Sequence, residues 1–459
     1  MRQPRYHDGS DPSHDPNGPD PLDREVLARL VHLALPAFLA LVVEPLFLLA
    51  DSAIVGHLGT PELAGLGIAA VLLRAAVGLS IFLAYGTTAS VARQVGAGDL
   101  RAALQQGVDG LWLALGLGVA GAAVGLAVSP WLIAPFDATP AVHDHAVTYL
   151  RLSWLGLPPM LLVLAATGVL RGLSDARSPL RAAVAGSLGN VVLNLVLVYP
   201  AGLGLAGSAI GTVLAQTGMA AYLVAVVVLR ARHHESGLSL RPHLPGVRRS
   251  ARAGGPLVVR TLTLQAVLLL TTWSAARQGA TATATHQLAM SVWTFLAYAL
   301  DAVAIAAQTM TGEALGAGDR RGTRALTDRM IRIGALSGVL TGVLLALTAP
   351  LLGPLFTTDE TVVRLLGHVL LAAAVFQPLA GIVFVLDGVL IGAGDGRYLA
   401  WAGTAVLLLS APAVLLASTT GLVTVWVAFG LTFIGGRAAL LLHRSRGDAW
   451  MVTGGSPSP

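Results

Sequence analysis

The sequence predicts an all-α integral membrane protein with twelve transmembrane helices in two parallel six-helix repeats, two lobes around a central cleft. Three observations carry that prediction. First, 55% of the 459 residues are hydrophobic and only 12% are charged, a balance that a soluble domain cannot pack. Second, each half contains six apolar stretches of the roughly 20 residues needed to cross about 30 Å of hydrocarbon as helix. Third, the second half repeats the first at a constant, ungapped offset of 220 residues. Gly96, Ala97, Gly98, Asp99 and Arg101 recur as Gly316, Ala317, Gly318, Asp319 and Arg321, and Gly168-Val169-Leu170 recurs as Gly388-Val389-Leu390. Pro36 pairs with Pro256, Pro130 with Pro350, Pro158 with Pro378, Gly172 with Gly392 and Asp175 with Asp395. A duplicated half in so apolar a chain points to a secondary transporter whose substrate sits between two bundles.

In chain order, residues 1–24 are rich in Asp, Pro, His and Gly and read as a disordered cytoplasmic tail. They lack the short apolar core of a cleavable signal, so the first span stays in the membrane. The N-terminal lobe is expected over 25–230, with spans near 26–56, 62–90, 107–128, 145–171, 179–200 and 207–230. A cytoplasmic connector follows at 231–254. The C-terminal lobe occupies 255–442, with spans near 255–277, 284–313, 330–352, 362–391, 398–418 and 421–442, and 443–459 is a cytoplasmic tail. Gly334, Gly338 and Gly342 recur every four residues, which suits close packing of one helix on a neighbour in the same chain.

Arginine alone supplies the strong cations, since the chain has no lysine. Arg93, Arg101, Arg171, Arg177, Arg181, the cluster from Arg230 to Arg252, Arg320, Arg321, Arg324 and Arg397 fall on one side, whereas the opposite loops carry chiefly Arg277 and Arg364. The positive-inside rule places the arginine side, both termini and the connector in the cytoplasm of a bacterial-type inner membrane. The formal charge of +5 then reports topology and not nucleic-acid binding.

Absent residues exclude whole chemistries. Without lysine there is no Gly-Lys-Ser/Thr phosphate loop and no Schiff-base lysine; without cysteine there is no disulfide and no thiolate metal ligand. No His-Glu-x-x-His or Gly-x-Ser-x-Gly pattern supports a hydrolase. His233, His234 and His243 read as an ordinary solvated loop, so neither cofactor nor metal is expected. An ion gradient is the expected energy source.

Charges inside spans are costly and therefore candidates for function. Glu44 and Asp51 lie seven residues apart on one face of the first span; Asp301 and Asp387 lie on the eighth and tenth. These acids do not follow the repeat: Asp51 corresponds to Thr271, and Asp387 to Thr167. Glu44 and Arg74 are at equal depth in spans one and two, which predicts a buried structural ion pair. With Gln265 and Gln308 they make up the polar set assigned to the substrate cleft. Pro36 and Pro45 are expected to kink the first span, and Pro158 and Pro378 to make matched hinges in spans four and ten.

The stretch Leu49-Ala-Asp-Ser-Ala-Ile-Val-Gly-His-Leu-Gly-Thr60, then Leu63-Ala64-Gly65 and Arg93-Gln-Val-Gly-Ala-Gly-Asp99, resembles the multidrug and toxic compound extrusion (MATE) family. The Asp-x-Ala-x-x-Gly-His-Leu-Gly pattern and Leu300-Asp301-Ala302 are similar to its DinF-like branch. The second copy agrees through Gly312-Glu-Ala-Leu-Gly-Ala-Gly-Asp319 and Asp387-Gly-Val-Leu-Ile-Gly-Ala-Gly-Asp395. The resemblance spans roughly residues 25–442 and implies export coupled to inward flow of protons or sodium ions. It also implies that Asp51 is the cation-linked carboxylate of the first lobe, with Asn194 its amide neighbour on span five. Asn190, one turn away, extends that patch. Val198 stands where many relatives have a polar or acidic residue, which favours protons over sodium. Asp387 matches the tenth-span acid of the second lobe, where the seventh span offers Gln265 in place of an acid.

The expectation is therefore a monomeric antiporter for small organic, amphipathic or cationic compounds, with Asp51, Asn194, Asn190, Asp387 and Asp301 as its cation-coupling set. A structural reading stays open for each acid, such as Asp387 bridging helices near the cytoplasmic end. A flippase for lipid-linked precursors would need a cleft rich in cations, and only Arg74, Arg151 and Arg260 are assigned to spans. A membrane enzyme and a non-transporting scaffold are the alternatives from other classes.

Overall fold

Every apolar stretch forms helix in the computed structural model, which describes residues 21–234 and 239–455. Most of the expected N-terminal tail, residues 1–20, lies outside the described residues, as do 235–238 and 456–459. The helices run α1 Pro21–Gly56, α2 Thr60–Leu79, α3 Phe82–Gly96, α4 Leu100–Ile133, α5 Pro140–Trp154, α6 Leu157–Gly172, α7 Arg177–Val198 and α8 Gly204–His234. The second copy continues with α9 Leu244–Ala276, α10 Ala280–Gly316, α11 Arg320–Phe356, α12 Glu360–Gly392, α13 Gly396–Ala417, α14 Leu422–Phe429 and α15 Gly436–Arg446. No strand occurs among the described residues. Eleven segments are long and apolar enough to cross a membrane, and α5 with α6 makes a twelfth as a pair bent by 48°. Several outrun the bilayer: the 37 residues of α10 extend about 55 Å at 1.5 Å per residue.

The apolar surface faces outward, as a bilayer requires. Along α11, Leu336, Leu340, Leu347, Leu351 and Leu355 are 69% to 74% exposed, a continuous stripe that water would penalise. The opposite face carries Gly334, Gly338 and Gly342. A Cβ at Gly338 would lie 2.3 Å from the Gln377 carbonyl oxygen and 2.7 Å from Pro378 Cα. These glycines therefore seat α11 against α12 within the chain.

The same contact recurs in the first copy, where a Cβ at Gly118 would lie 2.5 Å from Pro158 Cα. Likewise Gly168 approaches the Ala84 carbonyl and Gly388 the Ala304 carbonyl, both pairs 220 residues apart. The repeated Gly-Ala-Gly-Asp motif is a helix stop and restart. Gly98 (φ 77°) and Gly318 (φ 79°) take the left-handed conformation that ends a helix. The Asp99 and Asp319 amides then bond back to Gln94 and Ala314, and their carboxylates accept from Ala102 N (2.8 Å) and Gly322 N (2.7 Å) to cap the next helix.

Two units divide the described chain. One comprises 39–95 and 99–258; the other comprises the part of α1 through Phe38, residues 96–98 and everything from Val259. The first unit is cored by Leu66, Leu83, Leu111, Leu150, Trp154 and Leu170. In the second, α12 is the central helix, packed by α10 and α11. The residues after α15 are also packed: Trp450 is 2% exposed, Arg324 pairs with Asp448, and Gly454 N donates to the Leu315 carbonyl.

The four prolines assigned as hinges fall in backbones of different kinds. α1 runs unbroken through Pro36 and Pro45. Pro158 is not inside a kinked helix but in the first turn of α6, after the 48° break, where a missing N–H costs nothing. Its mate Pro378 lies inside an uninterrupted α12. The matched prolines therefore occupy unmatched backbones: the first copy breaks where the second stays continuous.

Candidate functional site

In the first unit, the acid of α1 meets polar groups from three other helices. Asp51 is 5% exposed, and its Oδ1 accepts from Asn194 Nδ2 of α7 at 2.7 Å and from Ser208 Oγ of α8 at 2.6 Å. The phenol of Tyr149 on α5 adjoins the same carboxyl. Asn190, one turn before Asn194, donates to Thr212 Oγ1 at 3.1 Å. Gly211 makes the close approach possible, since a Cβ there would lie 2.1 Å from Asn194 Oδ1. The amide oxygens of Asn190 and Asn194 are buried without a hydrogen-bond partner. The sequence anticipates Asp51, Asn194 and Asn190 in one patch, and the structure brings them together. It adds Ser208, Thr212 and Tyr149. Ser208 and Thr212 carry a readable signal, two hydroxyls one turn apart on a single face of an apolar span.

The acid of the second unit has a different environment. Asp387 on α12, also 5% exposed, accepts from Arg260 Nη2 of α9 at 2.6 Å and from Arg437 Nη2 of α15, both on Oδ2. Arg437 also stacks over Phe433, 5.3 Å from the ring centroid. Arg437 reaches Asp387 just after the only π-helical turn among the described residues, Gly430–Gly435. The sequence reading omitted Arg437 from the cations within spans, and the structure corrects that: it lies in the last span. Asp387 thus bridges three helices, whereas the partners of Asp51 among the described residues, Asn194, Ser208 and Tyr149, are neutral.

Of the remaining candidates, the expected ion pair of the first two spans stands differently. Glu44 and Arg74 are both exposed; Arg74 acts on Glu44 only through its electrostatic field, with no contact ion pair. The expected buried pair is therefore absent, because equal depth fixes height along two helices but not the faces on which the side chains stand. Asp301 on α10 is half-buried, Gln265 on α9 is exposed, and Gln308 on α10 is 2% exposed. No group of three or more His, Asp or Glu residues among the described ones could hold a metal ion.

One acid outside the spans has a well-defined electrostatic setting. Asp175, between α6 and α7, accepts from Ser178 Oγ (2.7 Å), Ser178 N (2.9 Å) and Arg177 N (3.0 Å) and pairs with Arg230. Burial pushes its carboxyl up, but the Ser178 bonds, Arg230 and the Arg177 amide together outweigh that and hold its pKa below the ordinary carboxylate value.

Comparison with known proteins agrees with this architecture. The family model MatE matches residues 36–196 and again 256–416, two segments that begin and end 220 residues apart. The chain is 32% identical over 437 residues to Protein DETOXIFICATION 44, chloroplastic, of Arabidopsis thaliana, covering 92% of this chain and 82% of that one. It is 30% identical over 395 residues to DNA damage-inducible protein F of Escherichia coli strain K12, covering 83% and 85%. Among solved structures, the Vibrio cholerae MATE transporter VcmN in its bent form superposes with a TM-score of 0.84 at 20% identity, over 92% of this chain and 97% of that one. An outward-facing multidrug resistance MATE family transporter gives 0.83 at 24% identity, over 93% and 96%. Duplicated helices, capped repeat motifs and both family matches converge: the chain belongs to the MATE family of multi-span membrane transporters.

Proposed function

We propose that this chain is a proton-coupled antiporter exporting small organic, amphipathic or cationic compounds by alternating access, and that Asp51 carries the coupling proton. The contrast between the two buried acids is what supports this reading. A carboxylate inside a membrane protein must be compensated, because an isolated buried charge is very costly. Asp387 has two guanidinium groups for that purpose. Asp51 has an amide and hydroxyls, so a proton or a small cation is the missing compensation. In the deprotonated state Asn194 and Ser208 donate to Oδ1, and Oδ2 is the atom that takes the proton. Neutralising Asp51 loosens its hold on α7 and α8, and this change in the first unit lowers its affinity for outward-facing substrate. The protein carries out no chemistry on what it moves. It acts as a monomer in a bacterial-type cytoplasmic membrane with both termini inside.

A sodium-coupled version has one observation in its favour: the unpartnered oxygens of Asn190 and Asn194 are hard ligands of the kind sodium takes. Liposomes holding the purified protein separate the two. With a pH gradient and a sodium gradient imposed in turn, export of a fluorescent cation should follow the pH gradient, and Asp51→Asn should abolish it while leaving the protein folded. Wild-type export by well-folded Asp51→Asn protein would remove Asp51 from the coupling role, and export driven by sodium alone would replace the proton.

A further inference from the structure

The segment leading into α9, with the first turns of that helix, is held within the first unit by side chains of α4. Trp112 Nε1 donates to the Leu240 carbonyl at 2.9 Å, and Gln106 Nε2 donates to Ser250 Oγ at 2.9 Å. The buried Asp109 faces His243 Nδ1 at 3.9 Å. Gly246 admits that carboxylate, since a Cβ there would lie 1.8 Å from Asp109 Oδ2. The stretch from Leu240 to Ser250 is thus held at three places, with a close approach at Gly246 between them.

What it displays is uniformly basic. Arg241, Arg248, Arg249 and Arg252 are all exposed, and residues 239–258 contain no acid. The height of these arginines follows from α9 itself. After Arg252 the one charge on α9 before Arg277 is Arg260, which is taken up by Asp387 inside the protein, and the helix from Gly254 to Ala276 is about 34 Å long, close to the hydrocarbon thickness of about 30 Å. Arg252, Arg249 and Arg248 therefore stand roughly 3 to 9 Å beyond the hydrocarbon edge, at headgroup level. Trp112, 38% exposed, lies beside them as interfacial indoles do.

We propose that Arg241, Arg248, Arg249 and Arg252 form a built site for anionic lipid headgroups, the α4 contacts holding the segment against the membrane surface. Clustered arginines at this height attract phosphate through charge and counterion release, so binding weakens with salt. The site is independent of the coupling assignment to Asp51.

The test uses the purified full chain in mixed micelles of phosphatidylglycerol and phosphatidylcholine, with bound lipids counted by native mass spectrometry. The wild type should prefer phosphatidylglycerol by about tenfold at low salt and lose most of that preference at 0.5 M salt. The quadruple variant Arg241→Gln, Arg248→Gln, Arg249→Gln, Arg252→Gln should fall to about twofold or less, and the corresponding quadruple lysine variant should keep the preference. Arg277→Gln with Arg364→Gln, outside the patch, should leave it unchanged. A preference that survives the quadruple glutamine variant, or one insensitive to salt in the wild type, would overturn the proposal. Complete displacement of the lipid by 10 mM inorganic phosphate would also overturn it, by showing a small-anion site instead. Should the glutamine variant not fold, the wild-type salt titration and the lysine variant decide the matter.

Discussion

Gly338 offers a sharp quantitative test of how the repeats are packed. A Cβ there would come to 2.3 Å from the Gln377 carbonyl oxygen. Carbon–oxygen contacts normally settle at about 3.3 Å or more, so α11 and α12 must part by roughly 1 Å for Gly338→Ala. Both partners are backbone on long continuous helices, and the strain cannot be relieved by a rotamer change. Overpacking of this kind costs about 1–3 kcal/mol, against a helix-propensity gain of up to about 1 kcal/mol. Gly367→Ala, on α12 with nothing within 4 Å of its Cβ, isolates the propensity gain. The two alanine variants should therefore differ by about 1–3 kcal/mol, or roughly 1–3 °C in melting temperature for a chain of 459 residues, read by fluorescence-detected size exclusion after heating. Gly118→Ala should fall between them. Its obstacle is Pro158 Cα at 2.5 Å, but Pro158 begins a helix beside a 48° break and can yield. Equal melting temperatures for Gly338→Ala and Gly367→Ala would refute the reasoning.

Removing Asp387 leaves two buried guanidinium groups short of their carboxylate, so Asp387→Asn should destabilise by about 3–5 kcal/mol, measured by chemical unfolding in detergent. Wild-type stability for this variant would remove the bridge from the list of structural supports. Asp175 has a depressed pKa in the folded state, so its contribution is present above the unfolded value of about 3.9 and is lost as pH falls through the folded value. Asp175→Asn should therefore cost about 1–3 kcal/mol at pH 7 and nothing relative to wild type at strongly acid pH; a pH-independent difference counts against the account. Glu44→Gln and Arg74→Gln should show a coupling energy below about 1 kcal/mol in a double-mutant cycle, since the side chains do not touch. A larger coupling would restore the pair.

Helix positions were legible in the sequence because membrane spans are set by apolar length, and the repeat by its constant offset. Helix ends were only partly legible: the spans near 62–90 and 107–128 stop short, on either side, of Gly98-Asp99, where the structure ends one helix and caps the next, and those near 284–313 and 330–352 likewise stop short of Gly318-Asp319. Less legible was whatever depends on the face of a helix as opposed to its depth. Glu44 and Arg74 matched in height and missed in direction. Pro158 and Pro378 matched in the repeat yet sit in a broken and an unbroken helix, since the break is decided by the turn at Leu155 and Gly156. At the candidate site, Asp51 and Asn194 could be named because a carboxylate and an amide stand out in apolar spans. Ser208 had its hydroxyl mate Thr212 one turn on as a signal, whereas Tyr149 has ordinary membrane uses and became a site residue only through its neighbours. Arg437 belongs to the same class: its partner lies 50 residues away, and its direction depends on a local departure from α-helical winding.

That departure, the π-helical turn at Gly430–Gly435, makes the charge arrangement of the second unit depend on how the backbone is wound. A π turn holds one residue more than an α turn, which sets everything after it about 100° out of phase with an ordinary helix. Rewinding it to α pitch with every residue kept would rotate Arg437 about 100° away from Asp387, whereas removing one residue there, for instance the exposed Leu431, would let the turn close to α pitch with Arg437 still on the Asp387 side. In this segment the ion pair is encoded by the winding of the backbone as much as by the identity of the side chains: the wider turn takes up one residue and so keeps the guanidinium on the carboxylate's side.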